Sequence, residues 1–522
     1  MRYTPKIGRR DFLVLTGAGS LAMLAGCGSN DEAVAPRGVD IGPDHPAVAR
    51  AEAARRGSGR VTSFDLTAAA TTVAIGSREV STWVYGDVIP GTALRVRQGD
   101  TLEVNLRNEL PEDTTIHWHG LAIRNDMDGV PDLTQSVVKP GESFTYRFVV
   151  PDSGTHWFHP HMGLQLDRGL YAPLIVEDKE DPGEYDVDQV VVLDDWLDGI
   201  DGQTPESAFQ NLTSMDMGGM DMGGMDMGGM DMGGMDHGSG GSADMPMSMA
   251  QSELLGGDAG DVAYPLHLIN GRPLEDRQTI DVPAGGRARL RVINAGSDTA
   301  YRVALGGHRM TVTHTDGFAV DPVEVDTILI GMGERYDVVV TPESGAWPLV
   351  ALAEGKDATA AAVIRTSDAG QAAAPPADVR PKELDGKLLR YDDLRATEAV
   401  QLGGAAPDVD QIVELTGSMM GYSWAFDGQA FDEHPPLRIE QGQRVRATFD
   451  NTSSMWHPIH LHGHTFRLST AANGARKDTV NVLPGESVVV EFDADNPGQW
   501  MTHCHNTYHL ERGMAMLMSY VE

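Results

Sequence analysis

The sequence His503-Cys504-His505 lies near the C-terminus and is followed by His509 and Met514. Successive side chains of an extended strand point to opposite faces, so Cys504 points away from the face shared by His503 and His505. A thiolate with two imidazoles and a weak, distant thioether is the ligand set of a blue electron-transfer copper. His509 and Met514 can supply one imidazole and the thioether. This short segment can therefore bind one copper on one face and contribute to a copper pair behind it.

Three further histidine clusters accompany this segment. They are His117-Trp118-His119-Gly120, His159-Pro160-His161 and His457-Pro458-Ile459-His460-Leu461-His462. The four motifs together hold ten of the eighteen histidines and one of the two cysteines. His460 and His462 share one face of a strand, whereas His457, at odd offsets from both, lies on the other face. We therefore expect His457 to join Cys504, and the other two to face inward with the remaining histidines.

A single His-x-His pair has simpler explanations, namely a chance pair on the surface or half of a zinc site. Four such clusters that close on His-Cys-His argue against chance. Structural zinc takes four ligands in tetrahedral geometry and has no use for a strand that divides His and Cys between its faces. The combined pattern favours copper over zinc.

All four motifs, in this order, resemble those of the multicopper oxidases, the family of laccases, bilirubin oxidases and copper efflux oxidases. The likeness runs from about Arg60 to Glu522. It implies four copper ions, namely one type 1, one type 2 and a binuclear type 3 pair. The segment Met127-Asp128-Gly129-Val130-Pro131 also resembles the family's stretch after its first motif, where the Asp lies near the type 2 copper. This implies that Asp128 supports the site and handles protons.

The resemblance also assigns each ligand. The implied sets are type 1, His457, Cys504 and His509 with Met514 axial; type 2, His117 and His460; and type 3, His119, His159 and His505 for one copper and His161, His462 and His503 for the other. Electrons are expected to cross from the type 1 copper through Cys504 to the type 3 pair. Glu511 is a second candidate for proton delivery.

The chain of 522 residues has the length of about three ordinary domains. Apolar runs such as 143–150 and 488–492 alternate or are short, Gly, Pro and Asp separate them, and no long helical period stands out. Together with the resemblance, this predicts an all-β fold of three cupredoxin-like (plastocyanin-like) Greek-key β-sandwich domains. The predicted domains are residues 60–185, 186–390 and 391–522.

Residues 1–27 have the features of a twin-arginine signal with a lipobox, Arg9-Arg10-Asp11-Phe12-Leu13 and Leu24-Ala25-Gly26-Cys27. On this interpretation Cys27 is lipidated, and ordinary cleavage with an incidental Cys is the alternative. Residues 28–59 are predicted to be a flexible tether. We expect an exported, periplasmic or cell-surface protein that meets the membrane only through this anchor. A disulfide is not expected, because only Cys504 is then left.

Twelve of the twenty-five methionines fall between Met215 and Met249, where the unit Met-Asp-Met-Gly-Gly repeats. Gly-Gly steps every five residues disfavour a stable helix, which predicts a mobile insertion at about 205–253 within domain two. Thioethers favour Cu(I), so the segment is interpreted as an arm that collects it. An acidic linker in which Met acts as an oxidant sink is the alternative. The candidate ligands for substrate Cu(I) are Met215, Met217, Met220, Met222, Met225, Met227, Met230, Met232 and Met235.

Met455 precedes His457 by two residues and resembles a substrate-copper methionine of the efflux oxidases. An ordinary core position is the alternative, because methionine is usually buried. The resemblance implies that an axial Met at position 514 lowers the type 1 potential, which favours easily oxidised donors such as Cu(I) or electron-rich phenols.

Seventy-six acidic and forty basic residues give a formal net charge of -36, which disfavours nucleic acid as a partner. The resemblance predicts an enzyme, a donor:oxygen oxidoreductase. We expect it to couple one-electron oxidation of Cu(I), in copper tolerance, to four-electron reduction of dioxygen to water. A laccase-type oxidase of phenols or other small donors is the alternative. A copper-binding or storage protein without turnover is a third, less favoured interpretation, because the ligand set is complete.

Overall fold

The computed structural model describes residues 38–178, 181, 183, 185–214, 250–370 and 372–522. The predicted signal, the lipobox and the methionines between 215 and 249 lie outside these residues. Within them, six sheets form three successive β-sandwiches, and a two-stranded ribbon is added to the second. The prediction of an all-β fold with three such domains is confirmed.

Residues 38–54 are ordered where a tether was predicted. Helix α1 (Pro46–Ala54) begins after His45, whose ring accepts a hydrogen bond from the backbone N–H of Ala47. Ile41, Ala47 and Val48 are buried in the core that domains two and three share. The tether prediction is therefore wrong over this part, because the segment's few apolar residues pack on a surface contributed by distant parts of the chain.

Eight strands build the first sandwich: β1 (Val61–Ile75), β2 (Arg78–Tyr85), β3 (Leu94–Arg97), β4 (Thr101–Glu109), β5 (His117–His119), β6 (Ser143–Val149), β7 (Gly154–His159) and β8 (Ala172–Glu177). They form sheets of order β2-β1-β4-β6 and β3-β8-β7-β5. In β4 every second residue, including Leu102, Val104 and Leu106, is buried. Because side chains alternate along a strand, these residues all lie on the side of the sheet that packs against the core.

Thirteen strands and one helix build the second domain: β9 (Val187–Trp196), α2 (Pro205–Ser214), β10 (Gln251–Ser252), β11 (Gly257–Asp258), β12 (Leu266–Ile269), β13 (Thr279–Val282), β14 (Ala288–Asn294), β15 (Tyr301–Leu305), β16 (Met310–Thr315), β17 (Phe318–Val325), β18 (Thr327–Ile330), β19 (Arg335–Val340), β20 (Ala346–Ala353) and β21 (Ala358–Thr366). The sheet orders are β12-β9-β14-β19-β16-β17 and β13-β21-β20-β15-β18, and β10 pairs with β11.

Eleven strands and a short helix build the third domain: β22 (Val409–Ser418), β23 (Ser423–Phe426), β24 (Leu437–Ile439), β25 (Arg444–Asn451), β26 (His457–Leu461), β27 (Phe466–Leu468), β28 (Arg476–Lys477), β29 (Thr479–Val482), β30 (Ser487–Asp493), β31 (Gln499–Cys504), α3 (Thr507–Glu511) and β32 (Ala515–Tyr520). The sheet orders are β23-β22-β25-β30-β27-β28 and β24-β32-β31-β26-β29.

The three sandwiches repeat one feature of topology. The first strand of each pairs in parallel with a later strand, β1 with β4, β9 with β14 and β22 with β25. Parallel neighbours need a crossover connection, and this recurrence is typical of Greek-key sandwiches. The first domain's last strand ends at Glu177 and the second domain's first begins at Val187; the next gap runs from Thr366 to Val409. The predicted boundaries near 185 and 390 fall inside these gaps.

Helix α2 occupies the start of the predicted mobile insertion. Its residues Pro205, Ala208 and Leu212 are buried, and the last two pack into the large core. The expectation of a mobile segment from residue 205 is therefore wrong up to Ser214, because this stretch has an apolar helix face and lacks the Gly-Gly steps. No helix in the described part of the chain combines the length and the apolar character that a membrane crossing requires.

His267 of β12 provides a test of the domain-two core. Burial lowers its pKa to about 3, and its Nδ1 lies 2.8 Å from the Tyr301 hydroxyl. The folded pKa lies below the unfolded value of about 6.5, so the folded state favours the neutral ring. The contribution of this ring to the free energy of unfolding is therefore fully present above pH 6.5 and is lost as the pH falls towards 3. The loss amounts to about 2 kcal/mol at pH 5.

We expect copper-free His267→Gln protein to lose less thermal stability than wild type between pH 7 and pH 4, measured by differential scanning fluorimetry. His308→Gln, at a half-buried histidine of the same domain, shows how much any imidazole replacement contributes. Identical pH slopes for wild type and His267→Gln would contradict this assignment.

Candidate metal centre

The first candidate centre is the mononuclear group, formed by His457, Cys504, His509 and Met514. Sγ of Cys504 lies 3.7 Å from Nδ1 of His457 and 3.5 Å from Nδ1 of His509, and the two Nδ1 atoms are 3.2 Å apart. The backbone N–H of Cys504 donates to the carbonyl of Met514 at 3.0 Å. All four side chains are buried. The donor atoms of two histidines and one cysteine thus converge on one point, with Met514 beside them.

Strand register explains this convergence. Strand β26 pairs antiparallel with β31, which places Ile459 opposite Cys504 and His460 opposite His503. Directly opposite residues share a face of the sheet, so His460 and His503 point to the same side. His457 is an odd number of residues from His460 and lies on the Cys504 side. Helix α3, capped at its start by the Asn506 side chain, returns His509 to the same point.

The second centre is the histidine cluster, which lies between domain one and domain three. Antiparallel pairing of β5 with β7 places His117 opposite His159 in domain one. Rings of the two domains stack face to face, His117 on His462 at 3.7 Å and His119 on His460 at 3.8 Å between centroids. The members of the cluster are His117, His119, His159, His161, His460, His462, His503 and His505.

The nitrogens that face each other fall into pairs. Nε2 of His460 lies 3.4 Å from Nε2 of His117, and Nε2 of His503 lies 3.1 Å from Nε2 of His462. Sets of donor atoms within 4.8 Å of one another include His117 with His161 and His462, and His460 with His462 and His503. None of these sets in the described residues contains His505. Its ring lies 5.0 Å from the His119 ring and 5.3 Å from that of His159, centroid to centroid.

Outward nitrogens of the cluster are held by carbonyl and carboxylate oxygens. Nδ1 of His117 lies 3.0 Å from the Asp128 carbonyl, and Nδ1 of His462 lies 2.9 Å from Oδ2 of the same residue. Nδ1 of His503 lies 2.8 Å from the carbonyl of Cys504. An acceptor at the outer nitrogen keeps the proton there, so the inner nitrogen is free to bind a metal.

The donor set fits copper at both centres. Buried nitrogens without a hydrogen-bond partner in the described residues include Nδ1 of His119 and Nε2 of His159, His161 and His505. Burial lowers the pKa of His159, His161 and His505 well below the usual value, which keeps these rings neutral. Imidazole clusters suit copper, zinc, iron or nickel, whereas Cys with two His and a nearby Met is specific for blue copper.

Burial also affects the thiol. It raises the pKa of Cys504 well above its usual value, so the uncharged thiol is the stable form without a cation. A bound metal ion reverses this preference and removes the proton. In the described part of the chain, Cys504 is the free cysteine. The site therefore links thiolate formation to metal binding.

Asp128 lies where the sequence predicted a supporting residue. It is buried, its Oδ2 holds His462, and its carbonyl holds His117. Its Oδ1 lies 3.2 Å from Nδ1 of His117 and forms no well-aligned hydrogen bond with the described residues. Glu511, the other predicted proton carrier, is exposed at the end of α3, on the helix that carries His509. The structure thus brings Asp128, but not Glu511, into contact with the histidine cluster.

Met455 is fully buried and packs in the large core, and its carbonyl accepts hydrogen bonds from Asn451 and Ser453. This burial agrees with the core alternative, and the interpretation of Met455 as a substrate-copper ligand stays a prediction.

Some residues that sequence reasoning missed contact the ligands. Nε2 of His509 lies 3.1 Å from Oδ2 of Asp261, and Nε2 of His457 lies 2.8 Å from Oγ of Ser453. Nε2 of His119 lies 3.1 Å from Oδ1 of Asp478. Asp261 and Asp478 are far along the chain from His509 and His119, the residues that they contact, and no local pattern in the sequence marks them. Only Ser453, four residues before His457, lies near a recognised motif.

Comparison with known proteins agrees with this geometry. Three family models, each described as multicopper oxidase, match residues 67–181, 245–369 and 405–522. Multicopper oxidase MmcO of Mycobacterium tuberculosis is 44% identical over 99% of this chain and 97% of its own. The copper resistance protein A homolog of Pseudomonas syringae pv. tomato is 30% identical over 87% of this chain and 91% of its own. Fungal proteins named laccase also match.

Among solved structures, a multi-copper oxidase from Pseudomonas thermotolerans superimposes with a TM-score of 0.64 at 27% identity, covering 89% of this chain and all of that chain. The chain belongs to the multicopper oxidase family. It is a copper-dependent oxidoreductase built from cupredoxin-like domains.

Replacing the thiol tests the mononuclear group. We expect Cys504→Ser to bind one copper fewer per chain and to lack the blue absorption, because a serine hydroxyl is a poor ligand for this soft site. The histidine cluster should keep its copper. Elemental analysis and visible spectroscopy measure both effects. Persistence of the blue colour in the variant would show that the colour arises elsewhere.

Proposed function

We propose that this protein is an exported cuprous oxidase with four copper ions. The proposed ligands are type 1, His457, Cys504 and His509 with Met514 axial; type 2, His117 and His460; and type 3, His119, His159 and His505 for one copper and His161, His462 and His503 for the other. One observation carries the proposal. The end of strand β31 joins the two centres, because the Cys504 thiol lies on one face of the sheet and the His503 imidazole lies on the other.

Bound copper would supply both halves of the chemistry, one-electron oxidation of the donor and four-electron reduction of dioxygen to two waters, which consumes four protons. Cys504 connects the two centres covalently, since its backbone continues directly into His503 and His505. Burial excludes water from this connection. His161 is half-buried, unlike the other cluster histidines, which favours this side for the entry of dioxygen.

Asp128 is the candidate for handling protons. Its Oδ1, 3.2 Å from Nδ1 of His117, can hold a water molecule or a proton beside that ring, whereas its other polar atoms hold two rings in place. Glu511 is exposed and does not share this position. We therefore assign proton delivery to Asp128 and leave Glu511 out of the proposal.

The donor is proposed to be Cu(I), and the attachment points of the Met-rich segment support this. Helix α2, which precedes the segment, places the Phe209 ring 6.3 Å from the ring of Tyr508, the neighbour of His509. Ala250, which follows the segment, packs with the cluster that contains Trp456, the neighbour of His457. Described residues on both sides of the segment thus pack near sequence neighbours of the mononuclear ligands, although the segment belongs to domain two.

The burial of the mononuclear group's histidines also favours a small ionic donor over a phenol. His457 and His509 are fully buried, and their outer nitrogens are occupied by Ser453 and Asp261. A phenol therefore has no direct access to an imidazole edge in this structure. A laccase-type activity remains the alternative function, because an axial Met suits any easily oxidised donor.

The relatives named copper resistance protein A agree with a role in copper tolerance. We further propose twin-arginine export and lipidation of Cys27, which place the enzyme in the periplasm or at the cell surface. The support for both is the sequence of residues 1–27 alone.

Replacing residues 215–249 by a Gly-Ser linker of equal length tests the donor. We expect kcat/KM for Cu(I) to fall about tenfold or more, because tethered thioethers raise the local concentration of Cu(I) at the mononuclear group. The value for a phenol should stay within about twofold. Oxygen consumption measures both.

A matched control keeps the segment and replaces its methionines by leucine while its aspartates remain. This variant should behave as the linker variant does, because leucine lacks the soft donor atom. Cu(I) turnover that survives both replacements would contradict the cuprous-oxidase proposal and favour the laccase alternative.

Asp128→Asn tests the proton role. The asparagine keeps the main-chain carbonyl and an oxygen for His462, so copper should stay bound. We expect kcat to fall about 100-fold for Cu(I) and for a phenol alike, because the block lies on the dioxygen side. Copper loss, or an effect on one donor only, would assign Asp128 a different role.

A further inference from the structure

Domain two supplies none of the eight cluster histidines, yet one of its turns lies directly against two of them. Gly333 has a φ of +83°, and a Cβ atom at this position would lie 2.9 Å from Cδ2 of His505 and 3.1 Å from Cε1 of His119. A side chain here would displace an imidazole or the turn. Domain two therefore forms part of the cluster's wall without providing a ligand.

Arg335 follows two residues later and contacts all three domains. It is fully buried, and its Nη1 and Nη2 donate to the two carboxylate oxygens of Asp478 in domain three at 2.7 and 2.6 Å. Its Nε donates to the carbonyl of Thr155 in domain one at 3.1 Å. A two-pronged guanidinium–carboxylate pair fixes the plane of the carboxylate as well as its position.

Asp478 in turn holds two cluster rings. Its Oδ1 lies 3.1 Å from Nε2 of His119, and its carbonyl lies 3.0 Å from Nδ1 of His460. These acceptors keep a proton on the outer nitrogen of each ring. The inner nitrogens, Nδ1 of His119 and Nε2 of His460, then face the cluster unprotonated. The orientation of the carboxylate thus determines which nitrogen His119 presents, whereas His460 is held by the main-chain carbonyl of the same residue.

Arg335 also belongs to a closed group of buried charges. Lys477 pairs with Asp316 at 3.0 Å and with Glu334 at 3.1 Å, and Asp316 accepts the backbone N–H of Asp478. Two positive and three negative side chains leave one formal negative charge at the wall of the cluster. Each buried charge has a partner, which offsets the cost of removing it from water. The excess favours bound cations.

We propose that Arg335 is a positioning residue for the copper cluster. By orienting the carboxylate of Asp478 it fixes the ring angle and the tautomer of His119, so that domain two completes a metal site to which it gives no ligand. The inference rests on the proposed copper sites. It predicts that the cluster loses copper when the fork geometry is lost, even if the charge and the fold remain.

Arg335→Lys is the decisive variant, because it keeps the positive charge and removes the two-pronged contact. We expect its cluster to bind copper about 10- to 100-fold more weakly, the usual effect of losing a partner behind metal ligands. The measurements are copper per chain during titration with a chelator and the electron paramagnetic resonance signal of type 2 copper. Blue absorption of the mononuclear group should persist, which reports that the fold is intact.

A second variant, Arg335→Met with Asp478→Leu, removes both charges and avoids an unpaired buried ion. It should show the same loss of cluster copper with the blue absorption retained. Arg302→Lys is the matched control, because Arg302 also pairs with a buried carboxylate of domain two, Glu354, and contacts no cluster histidine. Its copper content should equal that of wild type.

Wild-type copper affinity in the cluster of Arg335→Lys would overturn the inference. Joint loss of the blue absorption and of cluster copper would also overturn it, since a general structural role would then suffice. A different result bears on the proposed function: wild-type protein that binds no cluster copper when supplied with the metal would contradict the copper sites themselves.

Discussion

The antiparallel pairing of β26 with β31 is the constraint on which the rest of the structure depends. It places His460 opposite His503 and Ile459 opposite Cys504, so one sheet separates a thiol site from an imidazole site. Side-chain alternation makes the separation strict, because a slip of one residue would exchange every side chain between the two faces. Domain one then adds its four histidines to the imidazole site, and the short helix α3 adds His509 to the thiol site.

Burying these groups has a cost that metal binding offsets. Several cluster nitrogens are buried without a hydrogen-bond partner in the described residues, and burial disfavours both the protonated rings and the thiolate. Each outer nitrogen that is held by an oxygen leaves an inner one available. The metal-free protein is therefore organised for a cation that satisfies these atoms, and binding of that cation is expected to stabilise the folded state.

Domain two acts on both centres from outside. Asp261 contacts His509 of the mononuclear group, and Arg335 acts on the cluster through Asp478. Phe209, before the Met-rich segment, lies near Tyr508, and Ala250, after it, packs against the cluster that contains Trp456. A domain that contributes none of the proposed ligands of the four copper ions thereby supports ligands of both centres.

The sequence by itself determined the all-β class, the family and the face on which each motif histidine lies, because alternation along a strand is a local rule. Only the tertiary structure shows that residues 38–54 are folded against the core, that Met455 is buried and that Glu511 is exposed. It also decided the contact of Arg335 with Asp478, 143 residues apart in the chain. Such contacts arise where domains meet, and neither spacing nor composition records which distant surfaces will pack together.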